Sequence, residues 1–511
     1  KSTATSGTGN SGTGTVLGKK RKTTASVSAT ENGNVTGNST DNTTSGQSSQ
    51  TQNSNGSSGT ASGSTSTPVT PGAVPSEDSY QYIQDGAILQ AFCWSFDTIT
   101  DHLDEIADAG YTAVQTSPVQ ACLDTNKTMT LGGDGHWYYH YQPTDFTIGN
   151  YQLGTEAEFK TMCTEAEKKG IKIIVDVVPN HTTPVKDQVS MNLVNAVGGW
   201  DKLYHDTGFT GCTDYDNRYQ CTRYEVGGLP DIDTENPAFQ NYFIKFLDEC
   251  IADGADGFRY DSAKHIGLST DDRPSGVTNN FWQRVTGDIT DASDIFNYGE
   301  VLQGSSNAVL AECVKEIGAT TASNYGGQIR SAVESDNYLT SKVLDYKVGD
   351  EINTDHLVTW VESHDNYCND GTWSQMDDQD VVLGWAIIGA RESGTPLFFS
   401  RPQGSSTSSQ YGDNILGIAG DNNYRDDEVV AVNKFRKAMT GQSEYLANPD
   451  GNSAVLMIER GSKGVVIVNG ADTAYPIDAK INLEDGTYIN MTDDDSVFTV
   501  TDGVISGLLP A

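Results

Sequence analysis

An alternation of short apolar runs and amphipathic stretches begins at Ala87 and continues to about Ser400, and few architectures accommodate it. Ala87–Phe92, Tyr111–Val119 and Ile171–Val178 read as strands. Between them, Thr98–Ala109 carries Ile99, Leu103 and Ile106 on one face and stops at Gly110, and Glu156–Lys169 stops at Gly170. Asn236 as cap and Pro237 at the first helical position open a helix with Phe239, Phe243, Phe246, Leu247 and Ile251 on its apolar face. Further strands near 256–260, 295–299, 322–330, 357–361 and 394–400 bring the count to eight. Sustained strand–helix alternation means parallel strands with right-handed crossovers, and eight of them fit a closed (β/α)8 TIM barrel.

The ends of these strands carry chemistry. Gly257-Phe258-Arg259-Tyr260-Asp261-Ser262-Ala263-Lys264-His265 delivers a carboxylate flanked by three basic residues to the end of a buried strand. Such groups are costly to leave unpaired, and the C-terminal end of the strands is where barrel active sites lie. Three other apolar runs end similarly: Asp176-Val177-Val178-Pro179-Asn180-His181, Tyr298-Gly299-Glu300-Val301 and Val361-Glu362-Ser363-His364-Asp365-Asn366. Any one of them reads as a satisfied structural group; four in one barrel point to a site.

Together, in this order, the four segments resemble the conserved regions of the α-amylase family of glycoside hydrolases. The likeness runs from about Gly86 to the C-terminus. Trp137-Tyr138 with Tyr141-Gln142-Pro143, Leu229-Pro230-Asp231 and Gly394-Thr395-Pro396-Leu397-Phe398-Phe399 look most like the saccharifying α-amylases of bacilli. The resemblance implies that Asp261 is the nucleophile, Glu300 the general acid/base and Asp365 a third carboxylate that binds sugar hydroxyls. Basic neighbours suit an ionised Asp261, whereas no cation adjoins Glu300 in sequence, which suits an acid. Asp176 is expected to be structural, paired with Arg259. His181 and His364 are implied to bind sugar hydroxyls. Tyr141 is implied as a stacking platform, with Tyr138 and Gln142 beside it, and Lys264 and His265 on the leaving-group side.

The resemblance also implies Ca2+, which takes hard oxygen ligands. Asn180, Asp231 and the His265 carbonyl correspond to family ligands, with a carbonyl near Thr222 as a fourth candidate. Residues 180–236 hold no clear helix in sequence, and such long connections are usually functional; the family places a calcium-carrying domain B there. Some relatives bind chloride through a basic residue after strand eight and an Asn before the catalytic His. Arg401 suits the first position, but Ser363 replaces the Asn, so chloride is not expected.

Residues 1–79 read as a disordered linker of Ser, Thr, Gly and Asn, with no aromatic residue before Tyr80. Lys19-Lys20-Arg21-Lys22 within it reads as a nucleic-acid or wall-binding patch or, more in keeping with such a tail, a solvated charge run. The barrel then spans 80–422 with domain B inserted at about 180–236. Residues 423–511 form a C-terminal antiparallel β-sandwich domain, entered by a helix over Glu428–Met439, with strands Ala454–Glu459, Gly464–Asn469, Tyr475–Ile481 and Phe498–Val500. The sequence given stops at Leu508-Leu509-Pro510-Ala511, where relatives continue into one more strand, so this domain reads as truncated or short of that strand.

With 32 basic against 69 acidic residues the net charge is −37. That disfavours nucleic acid and anionic membranes as partners, and no run is apolar enough to span a bilayer. Of the eight cysteines, Cys163 and Cys250 fall on apolar helix faces, and Cys212 and Cys221 could bridge one polar loop if the compartment oxidises. Starch and malto-oligosaccharides are the implied partners of a secreted or cell-surface monomer, attached to a surface or assembly through regions outside the barrel. The implied activity is retaining endo-hydrolysis of α-1,4-glucosidic bonds. A transglycosylating or α-1,6-cleaving relative shares the carboxylate trio, and a non-catalytic starch-binding scaffold is the reading from a different class.

Overall fold

A computed structural model describes residues 24–28, 79–133, 136–304, 308–334, 339, 343–492 and 496–511. Eight parallel strands close a barrel in chain order: β1 (Ile88–Ala91), β2 (Ala113–Thr116), β3 (Lys172–Val177), β4 (Gly257–Tyr260), β5 (Phe296–Gly299), β6 (Ala319–Thr321), β7 (Leu357–Trp360) and β8 (Thr395–Phe399). Closure runs from β8 to β1, with Leu397 opposite Ile88. The barrel interior is filled by Ile88, Ala113, Ile174, Phe296, Tyr298, Val358, Trp360 and Leu397, all buried. It is a packed core, and in this fold ligands bind at the C-terminal end of the strands.

The helices start where side chains can satisfy their first amides. Ser95 caps Phe96–Asp108, Thr155 and Glu158 form a reciprocal capping box at Glu156–Lys168, and Asn236 caps Pro237–Ala252. Gly110 and Gly170, at φ 82° and 71°, end the first two in the left-handed conformation expected of a stop.

Two sequence expectations fail here. The segment 322–330 is not a strand: β6 is the three residues before it, and Ser323–Val333 is a helix with Tyr325, Ile329, Ala332 and Val333 buried. The 180–236 connection does contain helices, Met191–Val197, Trp200–Leu203 and Arg218–Cys221. At four to seven residues each, they are too short to show a periodic pattern.

After the helix Asp427–Ala438 come β9 (Glu444–Ala447), β10 (Val455–Arg460), β11 (Gly464–Asn469), β12 (Tyr475–Lys480), β13 (Gly486–Asn490), β14 (Val497–Thr501) and β15 (Val504–Leu509). Val455, Met457, Val465 and Ile467 share one core with Ile477, Tyr488, Phe498, Val500, Ile505 and Leu509. The antiparallel sheet therefore folds over on itself as a sandwich. The last residues of the sequence are not a frayed end, because β15 pairs with both β12 and β14.

The expected linker lies outside the described residues, as does the Lys19–Lys22 run, apart from one segment. Thr24–Ser28 is a strand paired antiparallel with both β11 and β13, which corrects the reading of 1–79 as structureless throughout. All eight cysteines are free; Cys163 and Cys250 are buried, and Cys212 and Cys221 are not joined.

Candidate active site

At the C-terminal end of β4 the chain turns sharply, and Ser262 adopts φ 51°, ψ 33°, a left-handed conformation unusual for a residue with a Cβ. The turn aims Ser262 two ways. Its amide donates to Glu300 Oε2 at 2.7 Å, and its hydroxyl donates to Asp261 Oδ2 at 2.9 Å. The carboxylates at the ends of β4 and β5 are thus held by one residue.

Arg259, buried one pleat below, ties the floor together. Its Nη1 lies 2.8 Å from Asp176 Oδ1 and 2.8 Å from Asp261 Oδ1, and its Nη2 lies 3.5 Å from Glu300 Oε2. Asp176 also accepts from the Tyr141 hydroxyl at 2.9 Å, so its place is structural, as the sequence suggested.

The two carboxyl groups are tuned apart. Burial opposes ionisation of Asp261, but Arg259, His181 and Ser262 outweigh it and hold its pKa below the ordinary carboxylate value. Burial, with Asp261 and Asp365 close by, pushes Glu300 up to about 8 in spite of Arg259. Near neutral pH the site therefore holds an ionised Asp261 beside a protonated Glu300.

Around them stand other expected residues. Asp365 lies in the first turn of the short helix His364–Cys368 after β7 and accepts from Asn369 at 3.1 Å. His364 stacks on Tyr141, ring centroids 4.9 Å apart, and its Nε2 lies 3.7 Å from Asp365 Oδ1. His181 donates from Nε2 to the Tyr141 carbonyl at 2.9 Å. Burial lowers the pKa of both imidazoles and favours their neutral form. Gln142 accepts from the Thr183 hydroxyl, while Tyr138 is exposed on the rim and bonded to His136. Lys264 extends toward the loop after β5, where a Cβ on Gly304 would lie 4.0 Å from its Nζ. His265 donates to the Cys221 carbonyl at 3.0 Å, with Tyr215 edge-on to its ring.

Sequence reasoning missed Ser262 and Gln90. Gln90, buried on β1, donates to His364 Nδ1 at 3.1 Å. A glutamine in an otherwise apolar barrel strand was the available signal.

The four proposed metal-site residues fall into two pairs. Asn180 and Asp231 are adjacent, the Ile232 amide donating to the Asn180 carbonyl, and Thr222 and His265 meet through Cys221. Asp231 Oδ1 is buried and without a hydrogen-bond partner, the kind of atom a hard cation would satisfy. Its other oxygen is taken by His205 Nδ1 at 2.6 Å, a partner sequence reasoning did not include. Burial disfavours the His205 cation, but Asp231 and Glu235 overcome it and push the imidazole up to about 9. Arg401, the candidate chloride ligand, instead donates from Nε to Glu362 at 2.8 Å.

A barrel with one ionised and one protonated carboxyl group on adjacent strand ends, and aromatic and imidazole groups around them, offers the groups that glycoside hydrolysis uses. Comparison with known proteins names the family. Residues 94–376 match the model for the α-amylase catalytic domain, and the chain belongs to that family. It is 51% identical over 453 residues to an α-amylase of Butyrivibrio fibrisolvens, covering 83% of this chain and 46% of that one. It is 39% identical over 435 residues to an α-amylase of Clostridium acetobutylicum, covering 84% and 53%. The chain thus spans about half the length of these relatives. Among solved structures, a mutant α-amylase I of Eisenia fetida in complex with maltohexaose superposes with a TM-score of 0.68 at 19% identity, covering 83% of this chain and 95% of that one.

Proposed function

We propose that the chain is a retaining, endo-acting hydrolase of α-1,4-glucosidic bonds in starch, related α-glucans and malto-oligosaccharides. The observation that carries this reading is the opposed ionisation of Asp261 and Glu300 on neighbouring strand ends. Glu300 gives its proton to the glycosidic oxygen as the bond from that oxygen to the anomeric carbon breaks. An Asp261 oxygen forms a bond to the same carbon from the opposite face. Glu300, now ionised, takes a proton from water, whose oxygen displaces Asp261 and restores the original configuration. Arg259 favours ionised Asp261 throughout and limits the charge that builds up when Glu300 has lost its proton. Asp365, His181 and His364 bind hydroxyls of the reacting sugar, and Tyr141 offers a ring for its apolar face.

The test is the configuration and identity of the first products. Proton NMR of malto-oligosaccharide hydrolysis should show the α-anomer appearing before mutarotation, and soluble starch should yield linear fragments. An initial β-anomer would remove the nucleophilic role of Asp261. Panose-type or cyclic products, or cleavage of branch points alone, would assign the trio to a transglycosylating or α-1,6-cleaving enzyme. Starch binding without turnover would leave only a scaffold module.

Calcium is proposed at Asp231 Oδ1, with Asn180 and the carbonyls near Thr222 and His265 completing an oxygen shell; its contribution would be to join the long connection after β3 to the end of β4. A monomer acting outside the cell fits a polymeric substrate and a net charge of −37. No helix among the described residues is long and apolar enough to cross a membrane. Activity recovered in the cell interior alone would overturn this location.

A further inference from the structure

We infer that Gln90 is a positioning residue: it places the imidazole proton of His364 on Nε2, so that His364 donates and Asp365 accepts where the two meet neighbouring sugar hydroxyls. The inference rests on the proposed reading of both side chains as ligands of the reacting sugar. It adds the polarity with which they hold that sugar and the residue that sets it.

The His364 ring has little freedom of its own. It is buried and nearly parallel to Tyr141, at 4.9 Å and 11°, and to Phe92, at 6.0 Å and 14°, with Trp137 edge-on at 5.9 Å. These contacts hold the plane of the ring and leave open which nitrogen carries the proton. Burial outweighs the pull of Asp365 and Asp261, so the ring is neutral and has one proton to place. What faces each nitrogen decides its position. Gln90 Nε2 lies 3.1 Å from Nδ1, and an amide nitrogen only donates, so Nδ1 must accept. Nε2 faces Asp365 Oδ1 at 3.7 Å, and a carboxylate oxygen accepts. Both neighbours require the same tautomer.

Gln90 is held as firmly as the ring. It lies on β1 opposite Gln115 of β2 and Phe399 of β8, and its carbonyl accepts from the amides of Phe92 and Ser400. Its side-chain Oε1 is buried without a hydrogen-bond partner among the described residues. Turning the amide over would set an NH2 group in that place, two unpaired donors instead of one unpaired acceptor. The proton of His364 would then sit on Nδ1, and a bare Nε2 would face the Asp365 oxygen, lone pair against lone pair. A hydroxyl both gives and takes a hydrogen bond. With the proton on Nε2, His364 and Asp365 offer one donor and one acceptor side by side. With it on Nδ1 they would compete as two acceptors for the same hydroxyl hydrogens.

The experiment is nuclear magnetic resonance of the full chain, isotope-labelled at its histidine nitrogens, with His364 assigned by its loss in His364→Asn. The wild type at neutral pH should show Nδ1 unprotonated and Nε2 protonated. A protonated Nδ1 would overturn the inference, and this measurement needs neither a Gln90 variant nor activity. Gln90→Met, close in shape but without a donor, should move both signals toward a mixture of tautomers. It should also lower kcat/KM on malto-oligosaccharides about three- to tenfold, the worth of one hydrogen bond. Gln115→Met removes a buried amide from the neighbouring strand and should leave the His364 signals as in wild type. In the His364→Asn background Gln90→Met should have little further effect on kcat/KM. An equal loss in both backgrounds would show that Gln90 acts through the fold alone and would overturn the inference. Expected signals in a wild type that does not hydrolyse soluble starch would instead overturn the proposed function and leave the placement of the proton standing.

Discussion

Ser262 and Arg259 each reach both carboxyl groups but not equally: Arg259 lies 2.8 Å from Asp261 and 3.5 Å from Glu300, while Ser262 gives its hydroxyl to Asp261 and its amide to Glu300. Asp261→Asn and Glu300→Gln are each expected to lower turnover by about 10²–10⁴-fold or more, with starch affinity little changed, because in the proposed mechanism both groups act on the transition state. Measuring kcat separately from binding to an insoluble glucan checks this, and near-normal turnover of folded Asp261→Asn would refute the assignment. The pH profile follows from the same tuning. As the proposed acid, Glu300 acts protonated, so kcat/KM should fall about tenfold per pH unit above ~8, and Glu300→Gln should lose that limb from whatever activity remains. Asp261 must be ionised, so the acid limb should lie below the ordinary carboxylate value. The carboxylates themselves were legible in sequence because each closes an apolar run. Ser262 was not, because what makes it matter is a backbone conformation. His205 was not, because it meets Asp231 only after the domain B connection has folded back.

At the scale of elements, close approach decides what the strands tolerate. Gly299 precedes Glu300, and a Cβ there would stand 2.8 Å from Ala263 Cβ and 2.8 Å from Ile317 Cδ1. The isoleucine tip can turn aside, but Ala263 belongs to the turn that carries Ser262. Gly299→Ala is therefore expected to cost about 1–3 kcal/mol of stability and to reduce turnover as the turn shifts. Urea unfolding together with kcat checks both; an unchanged kcat with lowered stability would show that the turn absorbs the displacement. Capped helices such as Pro237–Ala252 were legible to within a residue or two. The misplaced sixth strand has a local cause: β6 is three residues long, and the helix after it contains Gly326-Gly327, poor helix formers. Gly326 is there because the helix passes close to Trp360, whose carbonyl would lie 3.0 Å from a Cβ at that position.

For the molecule as a whole, stability is expected to depend on calcium. An ion bound only by the folded chain stabilises it by about 4 kcal/mol when free calcium is ~1,000 times its dissociation constant. Chelation with EGTA should lower the melting temperature and activity of wild type, calcium should restore both better than magnesium, and Asp231→Ala should no longer respond. A wild type stripped of metal that melts unchanged would leave domain B held by packing and by the His205 pairing alone. The barrel and the C-terminal sandwich were legible from alternation and spacing; the Thr24–Ser28 strand was not, since a stretch of serine and threonine carries no hydrophobic signal of its own. That strand has a consequence in time. Residues 24–28 leave the ribosome long before their partners at 464–469 and 486–490 exist, and the barrel between them can fold first. Contacts so distant along the chain form slowly, which makes closure of the sandwich the natural last step of folding.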